Sequence, residues 1–219
     1  MDALVAFAAA LLSFRLAGLL ATRWRASRRP ELLAWSAGLA AYAVAAGAIA
    51  WGEAHGWDGR AFRVYYAAGG LLTAPLLGAG SLLLAGRRWA APAALLFAGL
   101  AVGISLAMPL HGVFASSGIP HAQDHLAFLP ARLLAILANS LGTLAVVGVA
   151  VRSIRRRPTG NALVIAGIAA AAIGSGLSGL GAAGSAIGIA VGALLLYAGF
   201  VYPMRFPAVF RPRVSVKSP

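Results

Sequence analysis

Seven long apolar runs, parted by short polar stretches, fill most of this chain. They cover residues 4–21, 32–51, 62–85, 90–108, 131–151, 162–180 and 183–202. Each run is about 18 to 24 residues long. An α-helix rises about 1.5 Å per residue, so about 20 residues cross a hydrocarbon core of about 30 Å. The alternating ten-residue segments of a membrane β-barrel are not visible. The pattern predicts an all-α integral membrane protein, a seven-transmembrane-helix bundle forming one domain over residues 1–202. Residues 203–219 follow as a basic tail with four prolines, expected to be extended.

Local punctuation agrees with these limits. Pro30 and Glu31 open the second run, where the missing proline N–H would be unpaired anyway. Trp89 and Pro92 open the fourth, and Pro158-Thr-Gly-Asn161 turns the chain before the sixth. The third run carries Pro75 in mid-span, which predicts a kink. It is also rich in glycine (Gly69, Gly70, Gly78, Gly80), and Tyr65, Tyr66, Trp51 and Trp57 suit an interfacial aromatic belt. The sixth run ends with Gly174, Gly176 and Gly179, and the seventh carries Gly184, Gly188 and Gly192 at four-residue spacing. Such small-residue spacing lets helix backbones approach closely. The sixth and seventh runs should therefore form an antiparallel hairpin. The glycine surface also suits a homo-oligomer or a partner membrane subunit.

Composition supports lipid as the solvent. The chain has 219 residues, 61% apolar and only 11% charged, with a mean hydropathy of +0.85. A soluble domain carries about a quarter charged residues. The longest stretch outside the runs, Pro109 to Pro130, is too short for a domain of its own.

Charge sets the orientation. A net charge of +13 would point to nucleic acid in a soluble protein. Here the arginines sit in short loops between apolar runs, so no nucleic-acid partner is expected. One side holds Arg23, Arg25, Arg28, Arg29, Arg87, Arg88, Arg152, Arg155, Arg156, Arg157, Arg205, Arg211, Arg213 and Lys217; the other holds Arg60, Arg63 and Arg132. Fourteen basic residues against three place the first side in the cytoplasm. There they face an anionic leaflet. The N-terminus is then outside and the C-terminus inside. Asp2 before the first run and arginines after it reverse the charge order of a signal peptide, so an uncleaved helix is expected. Seventeen arginines against one lysine point to GC-rich coding and a bacterial plasma membrane.

Several activities drop out. There is no cysteine, hence no disulfide, thiolate metal site or cysteine nucleophile. The only lysine is Lys217 in the tail, so no Schiff base can form inside a helix. No phosphate-binding loop, Gly-x-Ser-x-Gly elbow or kinase set is present.

The remaining chemistry is one-sided. His55, His111, His121 and His125 all fall on the outer side, with Asp2, Glu53, Asp58 and Asp124, leaving only Glu31 inside. In His121-Ala-Gln-Asp124-His125, a helix would put both imidazoles on one face. That spacing can hold Zn or Cu, with Asp124 as ligand or tautomer-fixing acceptor and His111 and His55 completing the set. Imidazoles titrating near neutral pH equally suit a sensor. The Glu of a His-Glu-x-x-His hydrolase is missing. Within the runs, Arg132, Asn139 and Thr143 form a polar stripe on the fifth, with Arg132 placed to pair with Asp124 or an anion. Arg15 lies in the first run, where it either snorkels to the inner phosphates or serves a function.

Three functional classes remain, in this order. The first is a non-enzymatic binding, sensor or accessory membrane protein. The second is a transporter or channel for a small solute or ion, with Arg132, Asn139, Thr143 and the Pro75 kink lining one cavity. The third is an outer-face metalloprotein, in which at least three histidines converge.

Overall fold

Hydropathy marks the hydrocarbon slab, but a helix continues until something breaks it. In the computed structural model, residues 2–114, 118–155 and 158–179 are described, with 191–199 except 193 and 197. Helix α1 spans Asp2–Ser27, six residues beyond its apolar run. Arg28 ends it with a positive φ of 55°. Arg29 is extended (φ −77°, ψ 117°), as a residue before proline prefers. Pro30 then opens α2, Pro30–His55. The other long helices are α3 (Gly59–Leu84) and α4 (Ala90–Ala107). A short α5 (Ala122–His125) lies in the long connection. Helix α6 follows over Phe128–Arg152, and α7 over Pro158–Gly179.

Regular structure among the described residues is all helical. Five helices, α1 to α4 and α6, are long and apolar enough to cross a membrane. That makes the chain a membrane protein built as a helical bundle. The described residues between 191 and 199 are helical as well. The rest of the seventh run, with Gly184 and Gly188, and the basic tail lie outside the described residues.

Pro75 does not break α3. The helix changes hydrogen-bond register ahead of it: Tyr66–Thr73 is π-helical and Ala74–Leu84 is α-helical. The wider turn accommodates the proline, whose nitrogen cannot donate. Thr73 Oγ1 donates back to the Ala68 carbonyl at 2.8 Å inside this stretch.

Successive helices run antiparallel, so the core divides into two layers. Ala6, Ile49, Phe62, Met108 and Ala131 meet at one end. This is the histidine end. Leu20, Leu32, Leu77, Val146, Val164 and Leu196 meet at the other, the arginine end. There Glu31 is buried and bonded to Arg29, whose Nε donates to Oε1 at 2.7 Å. Helix α4 sits at the rim, with Leu95, Leu96 and Leu106 about three-quarters exposed. Such exposed leucines are ordinary where the solvent is lipid.

Glycine decides where backbones touch. A Cβ on Gly78 of α3 would lie 2.7 Å from the Gly142 Cα of α6. One on Gly142 would run into the Ala74 carbonyl oxygen. Gly80 and Gly52 make room for the indoles of Trp35 and Trp57. The expected antiparallel contact between the sixth and seventh runs is present. Gly167 of α7 faces the Gly192 carbonyl, and Gly199 faces the Gly160 carbonyl.

Candidate functional site

The polar stripe of the fifth run opens onto a cleft at the histidine end, between α3 and α6. The cleft has a volume of about 550 Å³. Arg132, Ile136, Asn139 and Ser140 of α6 form one wall and Tyr66 and Gly70 of α3 the other. His121, Ala122 and Gln123, from the long connection, also line it. Positions 132, 136, 139 and 140 share one helical face because a turn takes about 3.6 residues.

Each wall is held by its own hydrogen bonds. The Asn139 amide donates to the Gly70 carbonyl across the helix pair and to the Ala135 carbonyl at 2.8 Å. The π-helical register around Gly70 places that carbonyl opposite α6. Tyr66 donates its hydroxyl proton to the Ala131 carbonyl at 3.3 Å. A bonded Asn139 amide still leaves its side-chain carbonyl as an acceptor.

Arg132 supplies the charge. It is half-buried, with its guanidinium carbon 5.7 Å from the Phe128 ring centroid. The expected pairing with Asp124 is not formed: among the described residues the only ion pair joins Arg29 and Glu31. Asp124 is exposed and does not line the cleft. Among the described residues no carboxylate lines it. A guanidinium offers planar paired donors that fit carboxylate or phosphate. No family model, curated protein or solved structure matches this chain. The cleft is therefore interpreted from its own chemistry.

The histidines part company. His121 is extended (φ −76°, ψ 129°) ahead of the four-residue α5, so it does not share a helical face with His125. His121 lines the cleft. His125 is buried in the core instead, stacked on Phe114 at 4.1 Å and edge-on to Phe62 at 5.3 Å. Its Nδ1 lies 2.8 Å from the His111 carbonyl oxygen. A carbonyl only accepts, so Nδ1 carries the proton. The His111 amide donates back to the His125 carbonyl at 3.0 Å. His111 is exposed, and His55 is exposed and stacked on Trp51 at 4.1 Å. Among the described residues no three His, Asp or Glu side chains stand close enough to share a metal ion. The Zn or Cu set of His55, His111, His121, Asp124 and His125 is not assembled.

Thr143 is half-buried one turn below Asn139 and does not line the cleft. At that level Gly142 lies against the backbone of Ala74 and Pro75. Arg15 is exposed on α1, outside the cleft. Three lining residues with polar side chains, Ser140, Tyr66 and Gln123, were not singled out from sequence as site residues. Ser140 was legible as position i+8 from Arg132 on the same helical face. Tyr66 looked like part of the aromatic belt, and Gln123 carried no periodic signal.

Proposed function

We propose that this chain is a non-enzymatic binding protein of a bacterial plasma membrane, of sensor or accessory type. It spans the bilayer seven times with its N-terminus outside and its C-terminus in the cytoplasm. Its cleft takes a small organic anion from the outer side. The supporting observation is the chemistry of the lining: one guanidinium, an imidazole, amides and hydroxyls, and no carboxylate. The volume falls within the range of about 300–1,000 Å³ usual for small-molecule sites. The backbone contact of Gly142 with Ala74 and Pro75, just below Asn139, favours binding over a polar path through the bundle.

Binding is tested on detergent-purified protein with a panel of mono- and dicarboxylates and phosphate monoesters. A hydrogen bond to a charged group contributes about 1.5–3 kcal/mol. Arg132→Ala is therefore expected to weaken binding of the best anion about ten- to hundredfold. Arg132→Lys, which keeps charge but loses the paired donors, should fall between. Equal affinity of Arg132→Ala and wild type would end the anion assignment.

Topology has its own readout. A reporter fused after Lys217, one that works only in the cytoplasm, is expected to be active. Activity only from a reporter that requires the outer side would reverse the orientation.

A further inference from the structure

Arg15 is a cation in the wrong solvent. It stands near the middle of α1, eight residues before Arg23 and so about 12 Å along the axis from it. With Arg23 at the membrane surface, the Arg15 Cα is close to the midplane of a core about 30 Å thick. Cα–Cβ bonds tilt toward a helix N-terminus. The first bond of the side chain therefore leaves α1 tilted away from the arginine end, which shortens its reach toward the inner phosphates. Arg15 is exposed and has no ion pair among the described residues.

The face around it is apolar and uncovered. Leu4, Phe7, Leu11 and Phe14 are each more than half exposed, and Gly18 has nothing within 4 Å of a notional Cβ. Positions 4, 7, 11, 14 and 18 step by three and four residues, the spacing of a seam that a second helix can follow. The opposite face, with Ala6, Ala9, Ser13, Leu16 and Ala17, is buried within the bundle.

We infer that this face of α1 receives a transmembrane helix of another protein bearing an aspartate or glutamate at mid-depth, which pairs with Arg15. The occupant is not a second copy. Asp2, Glu53, Asp58 and Asp124 all belong to the histidine end, and Glu31 is buried at the arginine end on Arg29. A symmetric contact along α1 would bring Arg15 near its own copy. An ionisable residue in the bilayer interior is costly and is usually paired, so the missing carboxylate comes from elsewhere.

The test uses the full chain in zwitterionic phosphatidylcholine vesicles. The probes are fluorescent 21-residue polyleucine helices with Asp, Asn or Leu at the central position. Energy transfer should show the Asp helix associating at least tenfold more tightly than the Asn and Leu helices. Arg15→Leu should remove that preference while keeping the wild-type melting temperature, because the residue is exposed. Arg15→Asp should transfer the preference to a helix with a central Arg. Equal association of the Asp and Asn helices with the wild type overturns the inference, whatever the variants do. Loss of the Asp preference when phosphatidylglycerol replaces a third of the lipid also overturns it, naming a lipid phosphate as the partner.

Discussion

Gly142→Leu is expected to lower the thermal stability of the detergent-solubilised protein sharply, while Gly148→Leu on the same helix leaves it unchanged. A Cβ at 142 would run into the Ala74 carbonyl oxygen and sit 2.8 Å from the Pro75 nitrogen, whereas nothing lies within 4 Å at 148. The obstructing atoms at 142 are backbone, so no rotamer change relieves the clash and α3 and α6 must separate. Overpacking of a tight core costs about 1–3 kcal/mol, occasionally more. In lipid there is little hydrophobic gain to offset lost packing between helices. The same separation stretches the Asn139 bond to Gly70 and opens the cleft, so anion affinity should fall with stability. Matching melting curves for the two leucine variants would show that the crossing is not as close as described.

His125→Ala is expected to loosen the connection at 109–114 and 121–127 and expose it to protease. The imidazole fills a space between Phe62 and Phe114 and ties down His111. Removing a buried ring from a core costs about 3–5 kcal/mol for phenylalanine, and a hydrogen bond adds about 1 kcal/mol. An effect of about 2–4 kcal/mol is expected for this smaller ring, part of it confined to the connection. His125→Phe keeps the stacking and loses the bond, so it should recover most of the protection. His121→Ala should leave protease resistance intact and weaken anion binding. The opposite pattern would revive a metal role: His125→Phe as labile as His125→Ala, with added Zn protecting only the wild type.

These variants also separate what was legible in the sequence from what was not. Spans were legible because the slab imposes a length, and α1 to α4 and α6 each cover their apolar runs to within a residue. Their ends were less so, since nothing in hydropathy says that α1 continues through Trp24 and Arg25 until Arg28 turns. The pairing of Arg132 with Asn139 on one face was legible because seven residues are close to two turns. The antiparallel contact of the sixth and seventh runs was legible in the seventh run's four-spaced glycines, of which Gly192 meets Gly167; Gly167 and Gly199 themselves were not singled out, and Gly99 and Gly103, also four apart, face open space.

What stayed hidden depended on partners far along the chain. His121 and His125 are four apart, yet one lines the cleft and the other is packed against Phe62, sixty-three residues earlier. A four-residue helix has no periodicity to announce which. Pro75 was readable as a disturbance, but the π-helical turn it adjoins gains its meaning only where the Gly70 carbonyl meets Asn139. The sequence by itself determined that this chain lives in a bilayer, because burying its apolar surface requires lipid. Only the tertiary structure decided which polar residues share a cleft and which do not, because contacts between helices depend on where backbones can approach, and that is set by pairs such as Gly78 and Gly142 acting together.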